Sequence, residues 1–169
     1  WFNRLDWTYT DNNFGVGAPD AAKNSSNWSV IKPFLANPLI KMGNTEITSA
    51  NAVFRDFLRV RYSSTLFRMR TGADVMSRLK FYNTGTTQTA ALVVFRLDGT
   101  GYTGANYDKI VVLYNVDKVA KTFANADFIN QGYVLHTNQA NGSDSVVKTS
   151  TYTAGTGTFT VPARTVAVF

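Results

Sequence analysis

The strongest constraint on the fold is a series of short apolar runs that fills residues 71–169. The runs are rich in β-branched and aromatic residues, which favour a pleated and half-buried surface, and Gly, Asn and Asp separate them. Strands at such intervals, without intervening helical patterns, are typical of an antiparallel β-sandwich. The runs are RLKFYNTG, ALVVFRLDGTG, KIVVLYNVD, AKTFANA, GYVLHTN, SVVKTSTYT, GTFTVPA and RTVAVF. The sequence therefore predicts a mainly β protein, in which TYTAGTGTFTV forms a hairpin with a glycine-containing loop.

Residues 1–70 follow a different pattern. Residues 10–44 show no clear period and hold three of the four prolines, and so much irregular chain favours a functional loop or one packed on other structure. A helix is predicted from about 46 to 62, with Asn44 or Thr45 as its N-cap. Its apolar residues recur at helical spacing and are Ile47, Ala50, Phe54, Phe57 and Leu58. This stripe is bulky, so the helix must lie against a substantial core.

Composition narrows the class of protein. The chain has 169 residues, of which 44% are hydrophobic and 17% charged, and this suits one domain or a small domain with an attached piece. It has no apolar run long enough to span a membrane, and the absence of cysteine excludes disulfides and thiolate metal sites. The net charge of +6 comes from scattered basic residues, so no nucleic-acid partner is predicted.

The number and placement of the Glu, Asp and His residues give little support for a catalytic site in this chain. The chain has one glutamate, Glu46, at the predicted helix start, where its charge stabilises the N-terminus. The ten aspartates lie mostly beside Gly or Asn in turns, so no catalytic carboxylate pair is predicted. The only histidine, His136, is predicted to lie on a strand and to be structural. One histidine without cysteine leaves no transition-metal site, and DGTG at 98–101 is predicted to be a turn rather than a calcium loop.

The opening stretch WFNRLDWTYTDNNFGVG concentrates aromatic, amide and charged side chains. Sugar rings present apolar faces and hydroxyl edges, so a sugar site needs flat aromatic surfaces beside side chains such as Asn, Asp and Arg. The composition is compatible with a sugar-binding site. The alternative interpretation is structural, with Trp1, Leu5 and Trp7 in a core and Arg4 paired with Asp6.

Four stretches carry a family resemblance, and they are WFNRLDWTYTDNNFGVGAPDAAKNSSNW, IKPFLANP, DFLRVRYSSTLFR and the terminal TFTVPARTVAVF. Together they resemble the C-terminal end of type I pullulanases, starch-debranching enzymes of the alpha-amylase superfamily that are close to plant limit dextrinases. The resemblance implies a catalytic (β/α)8 barrel followed by an antiparallel β-sandwich. Residues 1–70 would be the last loop-and-helix portion of the barrel, and residues 71–169 the C-terminal sandwich.

The resemblance also implies a function for a longer parent protein. The family hydrolyses α-1,6 branch linkages in pullulan and branched starch fragments with retention, using an Asp nucleophile, a Glu acid/base and a second Asp. Those carboxylates lie upstream of the opening stretch. This chain is therefore expected to hold no catalytic residue, to be inactive alone and to meet α-glucan only through the parent. Asn3 and Arg4 are the expected substrate-binding residues, whereas Asp6 and Trp7 are expected to brace the barrel.

Further expectations follow from the same resemblance. No cofactor is expected in this chain, although calcium is possible in the parent, and the missing N-terminal part of the enzyme is the expected partner. The parent would be secreted or exposed at the cell surface of a bacterium. Without its partner polypeptide, the apolar helix face at Phe54, Phe57 and Leu58 is expected to be exposed.

Two other roles are open for residues 71–169. They could form an independent carbohydrate-binding β-sandwich module, although no aromatic cluster in this part matches the opening stretch. They could instead form a structural sandwich that only stabilises its neighbour, and this role is compatible with the C-terminal part of a type I pullulanase.

Overall fold

A computed structural model of the chain describes residues 7–10 and 20–169. The described residues form two compact units, of which the first extends to Ala52 and the second runs from Val53 to Phe169. The predicted boundary near residue 70 between a barrel portion and a sandwich stays a prediction, because a compact unit need not coincide with a domain of a longer enzyme.

The first unit is built from short helical pieces. They are helix α1 (Ala21–Asn24), a 3-10 turn (Ser25–Asn27), helix α2 (Trp28–Leu35) and a second 3-10 turn (Pro38–Ile40). The carboxylate of Asp20 begins the series, since it accepts a hydrogen bond from the backbone N–H of Ala22 at 3.2 Å. The prediction of irregular chain over 10–44 was wrong from residue 21 onward, because each piece is too short to show an apolar period.

Helix α3 spans Asn44–Ser63 and confirms the helix predicted from about 46 to 62. It begins at Asn44, so neither predicted cap residue precedes it. The carboxylate of Glu46 instead reaches back over the first turn and accepts the backbone N–H of Gly43 at 3.1 Å. Among the described helices, this one included, none combines the length and apolar character needed to cross a membrane.

The second unit contains seven strands in two antiparallel sheets. The strands are β1 (Leu79–Phe81), β2 (Leu92–Asp98), β3 (Lys109–Asn115), β4 (Lys121–Ala124), β5 (Thr151–Thr153), β6 (Thr158–Val161) and β7 (Thr165–Val168). Sheet A has the order β1-β2-β3-β7 and sheet B the order β4-β6-β5. The predicted hairpin is confirmed, because Tyr152 of β5 lies opposite Phe159 of β6.

Two helices occur where only strands and turns were predicted. Helix α4 (Gly72–Arg78) starts at Thr71, whose hydroxyl oxygen accepts the N–H of Asp74 at 3.0 Å. The run GYVLHTN forms no strand, and helix α5 (Thr137–Ala140) begins at its end. The prediction that His136 lies on a strand was therefore wrong, because its ring caps α5.

The central strand β3 is buried on both faces. Val111 belongs to the same buried cluster as Phe159 of β6, between the two sheets. Val112 points to the opposite face of sheet A and belongs to a second cluster with Val60 of α3 and Leu66. A continuous apolar run such as IVVL is the pattern expected of a strand covered on both sides. The second unit therefore has three layers, namely residues 53–63 of helix α3, sheet A and sheet B.

The free edge of strand β7 is covered by a side chain rather than by another strand. Gln139 is buried, its Oε1 accepts the N–H of Val168 and its Nε2 donates to the carbonyl oxygen of Val166, both at 2.8 Å. The backbone N–H of His136 donates to the Val168 carbonyl oxygen at 2.7 Å. The side-chain amide of Gln139 thus satisfies backbone groups at the edge of β7 that would otherwise be buried without partners.

Replacing Gln139 with Met tests this edge cover. The substitution keeps the length of the side chain but leaves the Val168 N–H and the Val166 carbonyl without their partner. We expect it to lower the free energy of unfolding by about 2–6 kcal/mol, from two orphaned groups at about 1–3 kcal/mol each. Urea denaturation is the measurement, and Gln88→Met at an exposed position is the control. Equal stability of the two variants would contradict the assignment.

Candidate functional site

The two predicted substrate-binding residues, Asn3 and Arg4, lie outside the described residues, as does Asp6. Their assignment to a sugar site and to the barrel stays a prediction. Trp7, for which the resemblance implies a bracing role, exposes 77% of its surface in this chain. In the described part, polar chemistry is concentrated around the second half of helix α3 and in one cleft.

One polar cluster joins the end of helix α3 to loops of the second unit. The Nε2 atom of His136 lies 2.9 Å from the Oγ atom of Ser63 and 3.2 Å from the hydroxyl oxygen of Tyr107. Ser63 and His136 therefore have the separation of a nucleophile and its base. The direction of their hydrogen bonds decides whether they could act as such a pair.

These bonds assign His136 a structural role, as predicted. Its Nδ1 accepts the backbone N–H of Asn138 at 3.1 Å, so the neutral ring carries its proton on Nε2. That N–H faces Ser63, whose hydroxyl donates to the carbonyl oxygen of Val60 at 2.7 Å. A general base would need a lone pair facing the serine proton. Desolvation by burial lowers the pKa of His136 and so favours the neutral ring.

Asp56 forms a second polar anchor on helix α3. Its buried carboxylate accepts the backbone N–H of Ser143 at 2.6 Å and pairs with Arg59 at 2.8 Å. The bond from Ser143 lowers the pKa of Asp56 despite the opposing effect of burial, and Arg59 lowers it further. A Cβ atom at Gly142 would lie 2.7 Å from this carboxylate and 2.5 Å from the carbonyl oxygen of Asn138. The close approach of the loop to the helix therefore requires glycine.

Hydrogen bonds lower the pKa of several carboxyl groups in the described part of the chain. Among residues 7–10 and 20–169, four carboxyl groups have clearly lowered pKa values, and they are Asp56, Asp98, Asp117 and Asp127. In each of them a hydrogen bond to the carboxylate is the largest cause. The general acid of a glycosidase needs the opposite shift. Over residues 7–10 and 20–169, no group of three or more His, Cys, Asp or Glu side chains could hold a metal ion.

A cleft of about 670 Å³ opens in the second unit between the loop that follows β2 and the segment that leads into α5. Tyr107 lines it with 39% of its surface exposed, and its ring centroid lies 5.5 Å from that of His136. Tyr102 also lines the cleft, and the guanidinium carbon of Arg78 lies 4.6 Å from the centroid of the Tyr102 ring. The polar lining includes Asn106, Asp108, Lys109 and Gln131. The cleft thus combines aromatic rings with amide and charged groups.

An apolar surface is exposed along the second half of helix α3. Phe54 is 62% exposed, and Phe57 and Leu58 are each more than a third exposed, which confirms the expected exposure of this face in the chain alone. A groove of about 270 Å³ between Phe57 and Tyr114 of sheet A continues the surface. A helix face of this kind is typical of a site covered by other polypeptide.

Sequence comparison relates the chain to starch-debranching enzymes. The family of alpha-1,6-glucosidases, pullulanase-type, C-terminal, matches residues 9–169. The chain is 38% identical over 177 residues to pullulanase 1, chloroplastic, of Arabidopsis thaliana, and the match covers 100% of the chain and 18% of that protein. It is 33% identical over 175 residues to the pullulanase of Klebsiella pneumoniae, covering 99% of the chain and 16% of that protein.

Structural comparison agrees with the sequences. The crystal structure of the maltotriose complex of PulA from Klebsiella pneumoniae superposes with a TM-score of 0.86 and 33% identity, over 99% of this chain and 18% of that one. PulA from Klebsiella oxytoca gives a TM-score of 0.84 at 32% identity, over 99% of this chain and 16% of that one. The chain therefore spans less than a fifth of the length of these relatives.

The anchor at Asp56 has a testable pH dependence. Because the folded pKa of Asp56 is lowered, its carboxylate stabilises the fold fully above the unfolded pKa of about 3.9 and loses this contribution as the pH falls through the folded pKa. We expect Asp56→Asn to lower the free energy of unfolding at pH 7 by about 1–3 kcal/mol, and the difference to shrink as the pH falls below about 4. Urea unfolding from pH 7 to pH 3 measures both effects.

Asp20→Asn is the matched control for this experiment. Asp20 is an exposed helix cap, and Asn caps a helix about as well as Asp. Its stability should stay close to that of the unchanged chain at each pH. A loss in Asp56→Asn that did not diminish at low pH would contradict a role for the ionised carboxylate.

Proposed function

Because the chain belongs to the C-terminal family of pullulanase-type alpha-1,6-glucosidases, we propose that it is the C-terminal part of an enzyme that hydrolyses α-1,6-glucosidic branch linkages. One observation carries the proposal: relatives named pullulanase match 99–100% of this chain with only 16–18% of their own length. The substrates are pullulan and branched starch fragments, and the PulA protein that this chain resembles was crystallised with maltotriose.

The catalytic carboxylates of the proposed reaction lie in the remainder of the enzyme. Retaining hydrolysis needs a nucleophile and an acid/base whose pKa is raised. The carboxyl groups with clear shifts in this chain, such as Asp56 and Asp127, instead have lowered pKa values and serve as ionised anchors. Asn3 and Arg4 contact sugar hydroxyls in this proposal, and residues 1–70 form the end of a (β/α)8 barrel. Calcium in the parent belongs to the same proposal.

The second unit acts in this proposal as a support for the catalytic part. Its part of helix α3, residues 53–63, packs Val60 on sheet A and turns Phe54 and Leu58 outward. We infer that the preceding polypeptide of the enzyme covers this outward face. Secretion or display at a bacterial surface stays a prediction from the resemblance, and one of the relatives is named as chloroplastic.

The activity of the chain tests the proposal directly. We expect the longer enzyme to release reducing sugar from pullulan, and the 169-residue chain alone to release none, because the proposal places the catalytic carboxylates outside it. A reducing-sugar assay at matched molar concentrations makes the comparison. Hydrolysis by the chain alone would contradict this location of the carboxylates, and an inactive longer protein would contradict the debranching function.

Phe54→Ser tests the covered helix face. If the preceding polypeptide buries Phe54, the substitution should destabilise the longer enzyme by about 3–5 kcal/mol, the range for truncating a buried aromatic ring. The same substitution in the 169-residue chain should change its stability by less than about 0.5 kcal/mol, because the ring is already exposed there. Val116→Ser, at an exposed position after β3, is the control. Equal effects in both proteins would contradict the proposed contact.

A further inference from the structure

We propose that the cleft lined by Tyr107 binds a linear α-glucan segment. This inference rests on the proposed function, which supplies the class of ligand, and it adds a binding site in the second unit to that function. The site lies between two segments, residues 99–109 and 131–137, at the end of sheet A where β2 ends and β3 begins. Its volume of about 670 Å³ falls within the range of about 300–1,000 Å³ that is usual for small-molecule sites.

Tyr107 provides a preformed aromatic surface. Its hydroxyl is held at 3.2 Å from Nε2 of His136, and its ring leans on the histidine ring at an angle of 58°. The ring is therefore fixed on one side while 39% of the residue stays exposed to the cleft. An aromatic ring that is already ordered loses little entropy when a flat ligand packs on it. The apolar face of a sugar ring is such a ligand.

Tyr102 supplies a second aromatic wall, and it too is held in place. The guanidinium of Arg78 packs over its ring and donates from Nη1 to the carbonyl oxygens of Asp98 and Thr100, at 3.1 and 3.0 Å. These hydrogen bonds hold the guanidinium of Arg78 on the loop that follows β2. Arg78 therefore fixes the ring of Tyr102, and its charge is not free to bind a ligand in the cleft.

The polar lining suits hydroxyl groups, which donate and accept hydrogen bonds. The Nζ of Lys109 donates to Oε1 of Gln131 at 2.8 Å, and this bond spans the two loops that border the cleft. Asn106 is fixed because its Nδ2 donates to the carbonyl oxygen of Ser63 at 2.8 Å. Asp108 is exposed beside them. Amide, carboxylate and ammonium groups together provide donors and acceptors at fixed positions.

The charges of the lining favour a neutral ligand. Asp108 and Lys109 carry opposite charges side by side, so the cleft offers no excess positive charge for a phosphate. A purely apolar ligand would desolvate the carboxylate of Asp108 and the remaining donors and acceptors of the amide and ammonium groups, which is unfavourable. A neutral molecule with apolar faces and many hydroxyls satisfies both requirements, and glucose units joined in a chain have this chemistry.

Calorimetric titration of the longer enzyme with maltoheptaose tests the inference. This ligand contains only α-1,4 linkages, so the proposed α-1,6 activity leaves it intact during the measurement. We expect two classes of binding site in the unchanged enzyme. Tyr107→Ala should weaken one class about tenfold, equivalent to about 1.4 kcal/mol, and leave the other unchanged. Tyr107→Phe keeps the ring and should retain both classes of site.

Several outcomes would overturn the inference. They are a single class of site in the unchanged enzyme, equal weakening by Tyr107→Phe and Tyr107→Ala, and equally tight binding of a β-1,4-linked glucan. If Tyr107→Ala fails to fold, Gln131→Ala replaces it, since this exposed side chain can be shortened without opening the core. It should weaken the same class of site with an unchanged Tm.

Pullulan hydrolysis by the same samples separates the two proposals. An enzyme that hydrolyses pullulan but shows no binding that depends on Tyr107 refutes the cleft and retains the proposed function. An enzyme that binds maltoheptaose through Tyr107 but does not hydrolyse pullulan retains the cleft as a glucan site and refutes the debranching function.

Discussion

The burial of strand β3 on both faces is the constraint on which the second unit depends. Two packed sheets would cover Val111 and leave Val112 in water, so a further apolar layer is required. Helix α3 supplies that layer through Val60, and the turn that follows it adds Leu66. Apolar packing is not directional, however, and by itself would not fix how the helix lies on the sheet.

Directional bonds supply that orientation, and they also shape the cleft. Asp56 is tied to the N–H of Ser143, and the backbone N–H of Thr65 donates to the carbonyl oxygen of Gly104 at 3.0 Å. The hydroxyl oxygen of Ser63 lies next to Nε2 of His136, and the carbonyl oxygen of Ser63 accepts a hydrogen bond from the side-chain amide of Asn106. Since His136 and Asn106 also line the cleft, the bonds that hold the helix position the groups proposed to bind sugar. Stability and ligand binding are therefore coupled at this end of the sheets.

The elements that sequence could predict are those whose causes are local. The apolar run in β3 reflects its burial, and the hairpin of β5 and β6 has its left-handed residue at Gly157. The segment before α5 carries residues typical of a strand. It forms none, because the side chain of Gln139 already makes the hydrogen bonds at the edge of β7. No local sequence pattern indicates that this side chain would replace a strand. Helix α4 was missed although the hydroxyl cap of Thr71 is a recognisable start signal.

The candidate sites also differ in how far the sequence alone could predict them. Family resemblance points to Asn3 and Arg4, which stay predicted, because composition could not separate sugar contacts from core packing in the opening stretch. The cleft brings Tyr107 together with Gln131, residues far apart in sequence that no motif connects. His136 was correctly interpreted as structural, but its link to Tyr107 depends on the fold. A site assembled from loops that are far apart in sequence can be identified only from the three-dimensional structure.

A glucan site joined covalently to a catalytic part changes the kinetics of polymer hydrolysis even when its own affinity is low. A chain held at the Tyr107 cleft would present its branch points to the same enzyme at an effective concentration in the millimolar range, provided that the polymer spans both sites. An oligosaccharide that is too short to span the two sites would gain nothing from the second contact. The cleft would therefore favour long, branched substrates over short ones without altering the chemical step. A modest aromatic platform, fixed by bonds that the fold already needs, is sufficient for that effect.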